Sequence, residues 1–319
     1  MPHRVVALLL LALGLLAAGP AAPQTFPSKP IRLIVGDAPG GSADLVGRVM
    51  ATAMAPILGQ PVVAENKPGA GYTIAFGHVA KQVPADGHTI AFVFVQSLAV
   101  LPLTVKDLRF DPLKDLPPFI GVAQTKIVIS SSPRRPWKTV NEMIAYAKAN
   151  PGKLTYASNS PIARLVTEGI LKGFGIDALH VPYSSGSLAV QGIVQAQVDV
   201  GLSGLPIAMS LGDNLRILAT TGEKRLAAYP DVPTFAELGQ RQVRSFSYSL
   251  NAPAATPKEA LGILYAAASQ ALKQPDVQAR FAKLFLDVVD QPPEAAARDL
   301  TEEASFYAGI AKSIGVRPE

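Results

Sequence analysis

The stretch IRLIVGDAPGGSADLVGR, residues 31–48, contains a strand, a loop and the start of a helix in direct succession. The first five residues are an uninterrupted apolar run of strand length. From Ser42 to Leu58 the apolar residues recur at helical spacing and form one stripe. A strand that leads through a glycine-rich loop into a helix is typical of an α/β fold.

The same alternation continues through most of the chain. Strands are predicted at residues 31–35, 62–64, 89–94, 127–130, 154–157, 179–181, 198–202 and 215–219. Capping boxes at Thr139 with Glu142, and at Thr256-Pro257 with Glu259, predict the starts of two further helices. We therefore predict an α/β protein whose ligand lies at the carboxyl ends of the strands.

The N-terminal residues have the three-part order of a secretory signal. Residues 1–4 carry one positive charge, residues 5–16 are apolar or glycine, and small residues dominate positions 17–22. An apolar core of about twelve residues is too short to cross a bilayer, which needs about 20. We predict a signal peptide at residues 1–23 and export to the periplasm; the alternative is an uncleaved membrane anchor.

Composition excludes several classes of protein. Apolar residues make up 49% of the chain and charged residues 17%, which argues against disorder. The chain has no cysteine, so disulfides, cysteine-type zinc sites and acylated lipid anchors are excluded. The 29 basic and 24 acidic residues are scattered without a basic run, which gives nucleic-acid binding little support. We predict no metal and no cofactor.

The first loop has two interpretations. Its glycines permit close backbone approach, and Ser42 could cap the helix and leave neighbouring N–H groups free to hold a carboxylate or a phosphate. The alternative is a tight turn in which Asp44 only complements the helix dipole. A nucleotide site is disfavoured, because no P-loop motif is present and the nearest G-x-G-x-x-G match, residues 69–74, ends in Ile74.

Catalytic motifs are absent from the sequence. The four histidines, at positions 3, 78, 88 and 180, do not have metal-pair spacing, and no G-x-S-x-G elbow occurs. A triad assembled from distant residues remains open, because triads are defined by geometry rather than by order. An exported hydrolase that uses Ser42 or Ser203 with a histidine is therefore the main alternative function.

Two further loops lie at predicted strand-to-helix junctions. ENKPGAGYTIA, residues 65–75, follows one strand, and YASNSP, residues 156–161, spans the end of another. Both are rich in backbone amides or hydroxyls. Three such loops suit a ligand that is held rather than transformed.

Eight segments span nearly the whole predicted mature chain, in this order: PSKPIRLIVGDAPGGSADLVGR, GQPVVAENKPGAG, PADGHTI, AYAKANPGKLTYAS, HVPYSSG, QVDV, RLAAYPDVPTFAELG and NAPAATPKEA. Together they resemble the Bug family of periplasmic solute-binding proteins, the receptors of tripartite tricarboxylate transporters. The resemblance implies a two-lobed fold of the Venus-flytrap type II, with the ligand cleft between the lobes. One lobe would comprise residues 24–124 and 251–319, and the other residues 125–250.

The resemblance also implies the ligand and the partners. We expect a small organic acid, membrane subunits of a tripartite transporter and a monomeric receptor; a sensory module for a membrane kinase uses the same closed form and remains an alternative. The predicted ligand-binding residues are Pro39, Gly40, Gly41, Ser42, Asp44, Gly69, Ala70, Gly71, Tyr72, Thr73, Gln124, Ser158, Asn159, Ser160, Tyr183 and Ser203.

Four positions depart from the pattern of the family that the chain resembles. Tyr72 and Gly192 replace a glycine and an aspartate, and Pro161 and Ile162 replace residues of a more flexible, glycine-containing loop. One wall of the cleft should therefore be less polar than usual. We expect a monocarboxylate with an apolar or aromatic body, held at Gly40 to Ser42, to be preferred over citrate.

Overall fold

The computed structural model describes residues 25–316 and residue 318. The predicted signal peptide at residues 1–23, with its histidine at position 3, lies outside the described residues. Among the helices of the described part, none combines the length and the apolar character that crossing a membrane requires.

The first sheet has six strands in the order β11-β4-β10-β3-β1-β2. Strands β1, β2 and β3 are parallel, β10 runs antiparallel to both β3 and β4, and β11 runs antiparallel to β4. Their bounds are β1 Ile31–Val35, β2 Val62–Asn66, β3 Thr89–Phe94, β4 Pro118–Thr125, β10 Phe246–Asn251 and β11 Leu286–Gln291. All six residues of β3 are buried, as expected for a strand covered on both faces.

The second sheet has five strands in the order β7-β6-β8-β5-β9. Strand β6 is parallel to β7 and β8, and β5 is antiparallel to β8 and β9. Their bounds are β5 Ile127–Ser131, β6 Thr155–Ser158, β7 Leu179–Pro182, β8 Val200–Gly204 and β9 Arg216–Thr220. Each sheet is the centre of one lobe.

The helices pack around the two sheets. In the first lobe, α1 packs on α9, and α3 packs on α11. The helices of the described chain are α1 Ser42–Leu58, α2 Thr73–Lys81, α3 Val95–Thr104, α4 Pro112–Asp115, α5 Val140–Ala149, α6 Pro161–Gly173, α7 Gly186–Val194, α8 Leu205–Leu211, α9 Lys258–Leu272, α10 Pro275–Lys283 and α11 Pro293–Ile314. Single 3₁₀ turns lie at Ala70–Tyr72 and Gly212–Asn214.

The chain passes between the sheets twice. It leaves the first sheet at the end of β4 and enters β5 two residues later, and it returns between Thr220 and Phe246. The whole of β10 belongs to the first sheet. The return therefore comes before the boundary predicted between residues 250 and 251, and the α/β, two-lobed prediction is confirmed at the level of the sheets.

One of the two predicted helix starts differs from the prediction. Thr139 caps α5, since its side chain accepts a hydrogen bond from the Glu142 N–H at 3.2 Å. The helix predicted after Thr256 begins at Lys258, but its N-cap is Pro257 and the buried Thr256 hydroxyl has no hydrogen-bond partner in the described chain. The predicted capping box at Thr256 is therefore wrong, although the helix exists.

Candidate functional site

A cavity of about 70 Å³ lies between the two lobes. It sits at the carboxyl ends of β1, β3, β6 and β8, where parallel strands of an α/β sheet present their loops to a ligand. Both lobes contribute side chains. The lining comprises Asp37, Gly41, Ser42, Tyr72, Phe94, Ser97, Ile127, Asn159, Ser160, Ile162, Ala163, Gly186, Val190, Leu202, Ser203, Gly204, Ile207 and Phe246.

The structure brings part of the predicted ligand-binding set to this cavity. The predicted residues among the lining are Gly41, Ser42, Tyr72, Asn159, Ser160 and Ser203. The predicted residues outside it are Pro39, Gly40, Asp44, Gly69, Ala70, Gly71, Thr73, Gln124, Ser158 and Tyr183. Ligand contact by any of these residues stays a prediction.

Asp37 is the charged residue among the lining residues that the predicted set does not contain. It lies two residues after the end of β1 and is only 9% exposed. Its Oδ2 accepts a hydrogen bond from the Ala43 N–H at 3.0 Å, and its Oδ1 accepts one from the Tyr72 hydroxyl at 3.0 Å. Burial raises the pKa of Asp37, and these two hydrogen bonds oppose that rise. A signal was present in the sequence, namely an aspartate at the carboxyl end of a buried strand.

The Asp37 carboxylate also replaces the cap predicted for α1. The N-cap residue is Gly41, and Ser42 makes no side-chain cap. Asp37 instead reaches Ala43 in the first turn from six residues upstream. Gly41 must lack a side chain here, because a Cβ atom at that position would lie 2.7 Å from Asp37 Oδ2.

The predicted free amides of the first loop are largely occupied. The Gly40 N–H donates to Asp44 Oδ2 at 3.0 Å, and the Gly41 N–H donates to the Ala38 carbonyl at 3.0 Å. The sequence predicts that the N–H groups of Gly40 and Gly41 hold a ligand carboxylate. In the structure, both already donate to oxygens of the chain itself. Gly40 itself adopts the left-handed conformation, with φ of 80°.

Asp44 is held by its own set of partners. Its Oδ1 accepts hydrogen bonds from Asn66 Nδ2 at 2.8 Å and from Arg48 Nε at 2.9 Å. Burial alone would raise the pKa of Asp44, but the hydrogen bonds from Arg48, Gly40 and Asn66 outweigh it and lower the pKa. Asp44 is thus an ionised, fully paired group that fixes the loop rather than a group that faces the cavity.

The second loop positions Tyr72. Four consecutive residues from Gly69 have positive φ angles, and two of them, Ala70 at 45° and Tyr72 at 78°, are not glycine. Strained backbone of this kind persists where the surrounding structure enforces it, often at functional sites. It places the buried Tyr72 ring against Phe76, with ring centroids 5.7 Å apart, and aims its hydroxyl at Asp37.

Three contacts join the lobes around the cavity. The Asn159 side chain of the second lobe hydrogen-bonds to the Tyr72 hydroxyl. A Cβ atom at Gly71 would lie 2.6 Å from Pro161 Cδ, and one at Gly204 would lie 2.8 Å from Ser42 Oγ. At the last two contacts, the glycine backbone of one lobe therefore lies directly against a side chain of the other lobe, where a larger residue would not fit.

The remaining wall combines apolar groups with two unsatisfied hydroxyls. Phe94 and Phe246 pack edge to face, with ring centroids 5.9 Å apart. The buried Oγ atoms of Ser97 and Ser203, one from each lobe, have no hydrogen-bond partner within the described chain. Buried polar atoms are normally paired, so a polar group of a ligand, or a water molecule, in the cavity would satisfy these hydroxyls.

The remaining predicted residues lie around this site rather than in it. Ser158 and Tyr183 line a neighbouring groove of about 490 Å³. Gln124 is exposed on β4, and Thr73 Oγ1 donates to the Ala70 carbonyl at 2.8 Å. Pro39 is exposed beside Gly40.

Among the residues that the structure describes, neither serine of the hydrolase alternative contacts a histidine. The cavity lining that contains Ser42 and Ser203 includes no histidine among the described residues. The serine and histidine that do meet are Ser158 and His180, whose Oγ and Nε2 atoms are 2.7 Å apart in the neighbouring groove. In the described chain, no three side chains of the metal-binding types cluster as a metal site would require.

The chain is similar in sequence and in fold to several known proteins. The chain is 36% identical over 314 residues to the "UPF0065 protein in gbd 5'region" of Cupriavidus necator, covering 96% of this chain and 94% of that protein. It is 30% identical over 305 residues to Protein BugT of Bordetella pertussis, covering 94% of each. The fold superposes with a TM-score of 0.87 on a structure described as a periplasmic transporter, at 34% identity, covering 92% of this chain and 99% of that one.

A second structure shows a relative with its ligand. Rpa4515 of R. palustris, solved with adipate, matches with a TM-score of 0.87 and 26% identity, covering 92% of this chain and all of that one. Two α/β lobes joined by two crossings, with strand-end loops from both around one cavity, define a periplasmic solute-binding protein. The sequence profile described as "Tripartite tricarboxylate transporter family receptor" matches residues 46–316. The chain belongs to this family and is a solute-binding receptor, which confirms the resemblance to the Bug proteins.

Proposed function

We propose that this receptor captures a small organic acid by closing its two lobes and presents the closed form to the membrane subunits of a tripartite transporter. The observation that carries this proposal is the cavity itself, because its lining comes from both lobes. A solute in it touches both lobes only when they are shut, so binding shifts the population toward the closed form.

A small acid suits the dimensions and polarity of the cavity. A volume of about 70 Å³ suits a compact solute. Of the four unusual positions, Tyr72 and Ile162 line the cavity, whereas Pro161 packs on Gly71, and a Cβ atom at Gly192 would clash with the Tyr183 hydroxyl. The apolar side of the cavity is therefore formed mainly by Ile162, Phe94 and Phe246. The replacement of aspartate by Gly192 contributes less to it.

The relatives support an organic acid as the ligand. Rpa4515 was solved with adipate, a carboxylate. Burying several carboxylates of one ligand against apolar walls costs several kcal/mol unless each finds a partner. A compact monocarboxylate meets that condition here more readily than citrate does. The receptor performs no chemistry in this proposal, and a sensory role that uses the same closed form would be separated from transport by measuring solute uptake in a deletion strain.

Ligand binding should be visible as stabilisation. Three- to five-carbon monocarboxylates, with and without an amino group, are screened beside citrate by thermal unfolding. At 100 times its Kd a ligand adds about 2.7 kcal/mol to the free energy of unfolding, which raises the Tm by several degrees. We expect at least one small acid to give this shift and citrate to give none. A larger shift with citrate than with any monocarboxylate would contradict the proposed size and polarity of the site.

Export should remove the N-terminal segment. We expect mass spectrometry of the periplasmic fraction to find a mature chain that begins between about residues 22 and 25, because small residues follow the apolar core there. Recovery of the full-length chain from the membrane fraction would contradict a periplasmic receptor.

A further inference from the structure

The cavity contains one buried charged side chain and no buried counter-charge. Asp37 is 9% exposed and lines the cavity, and the described lining includes no lysine, arginine or histidine. Arg48, a basic residue of α1, is bonded to Asp44. The positive end of α1 offsets part of the Asp37 charge but supplies only about half an elementary charge.

Burial and hydrogen bonding act in opposite directions on the ionisation of Asp37. Burial raises its pKa, whereas the hydrogen bonds that its two oxygens accept from the Ala43 N–H and the Tyr72 hydroxyl lower it. The hydroxyls of Tyr72 and Tyr248 face it in the neutral form, since burial, and then the charge of Asp37, raise their pKa values. A cation beside Asp37 would stabilise its ionised form, because the described lining supplies no positive charge.

We propose that the cavity takes a small carboxylic acid that carries a protonated amine, and that Asp37 is the residue that selects the amine. This inference rests on the proposed receptor function and names the ligand class of the same site. The ammonium group of the ligand supplies the charge that no lining side chain provides. A carboxylate without an amine would instead place a second negative charge beside Asp37, and the two negative charges would repel each other.

The carboxylate of the ligand also has partners in the cavity. The Oγ atoms of Ser97 and Ser203 are buried, and neither has a partner in the described chain; Ser97 is only 3% exposed. Hydroxyls donate well to a carboxylate. Phe94, Phe246 and Ile207 supply apolar walls for a short carbon chain. The small volume favours short chains, such as those of β-alanine and 4-aminobutanoate.

The first test compares pairs of equal length on protein freed of bound solutes. Isothermal titration is carried out with propionate and β-alanine, with butanoate and 4-aminobutanoate, and with propylamine. We expect each amino acid to bind at least about tenfold more tightly than its matched acid, because buried charge pairs of this kind couple strongly. Propylamine should bind more weakly than β-alanine, since it leaves the two serine hydroxyls unsatisfied.

The second test assigns the preference to Asp37. Asp37→Asn keeps the shape but removes the charge, and it should reduce the tenfold preference for the amino acids to about equality. Asp37→Glu keeps the charge and should keep the preference, even if it weakens binding. The matched control is Asp213→Asn, because Asp213 is exposed in a 3₁₀ turn outside the cavity, and it should change nothing.

The possible outcomes separate the two proposals. Equal or tighter binding of the plain acids by wild-type protein would overturn the amine assignment and leave the receptor function standing. An unchanged preference in Asp37→Asn would overturn the role of Asp37. Tighter binding of propylamine than of β-alanine would overturn the assignment of a carboxylic acid as the ligand. Failure of every acid, with or without an amine, would overturn this inference and the proposed function together.

Discussion

Replacing Gly204 with valine should weaken ligand binding by about 10- to 100-fold while both lobes remain folded. A Cβ atom at Gly204 would lie 2.8 Å from Ser42 Oγ on the opposite lobe, and valine adds two methyl groups beyond it. Overpacking of this kind costs about 1–3 kcal/mol, and each 1.4 kcal/mol is a tenfold change in affinity. The cost falls on closure alone, because the backbone of Gly204, with φ of −65° and ψ of 144°, suits valine.

The measurement is a titration with the tightest ligand of the monocarboxylate panel, together with thermal unfolding of the free protein. Gly309→Val is the matched control, since a Cβ atom at Gly309 meets nothing within 4 Å. Both variants should unfold near the wild-type temperature without ligand. Normal affinity in Gly204→Val would show that the lobes do not close at this contact.

Asp37→Asn should stabilise the unliganded protein at neutral pH. Burial raises the pKa of Asp37 above its ordinary value of 3.8, so the folded state binds this proton more tightly than the unfolded chain does. The contribution of protonated Asp37 to the free energy of unfolding is fully present below pH 3.8, and it is lost as the pH rises through the pKa of the folded state. Asparagine carries no such charge. Removing a buried charge of this kind from a functional site commonly adds about 0.5–2 kcal/mol to the free energy of unfolding, which corresponds to a rise of about 1–5 °C in Tm.

The pH dependence distinguishes this effect from general stabilisation. The difference in Tm between Asp37→Asn and wild type should be larger at pH 7.5 than at pH 4.5, and Asp213→Asn should show no such trend. A variant that is less stable than wild type at pH 7.5 would mean that the hydrogen bonds from Ala43 and Tyr72 outweigh the cost of burying the charge.

The positions of the ligand loops could be predicted because they depend on local sequence. Strand β1 and helix α1 occur where the apolar run and the helical stripe predict them, and the cavity lies at strand ends as α/β geometry requires. The eight predicted strands all exist, with ends shifted by a few residues. Local patterns are sufficient for these features because each element buries its own apolar face.

Three strands and the key carboxylate were not predicted, although the sequence holds signals for some of them. Strands β4, β10 and β11 pair antiparallel in the first sheet, and the alternation of apolar and polar residues in β10 is typical of a strand. Ser249 is nevertheless buried, because its hydroxyl donates to Asn251 Oδ1 at 2.6 Å. Asp37 depends on Tyr72, 35 residues away, which is held by a left-handed backbone that no local pattern reveals.

Hydrogen–deuterium exchange with and without the tightest monocarboxylate tests most directly whether a solute is held between the lobes. We expect the ligand to slow exchange simultaneously in the loop after β1 near Ser42, in the loop after β6 near Asn159, and at the end of β8 near Gly204. Protection confined to one lobe, or centred on the groove that contains Ser158 and His180, would contradict binding between the lobes.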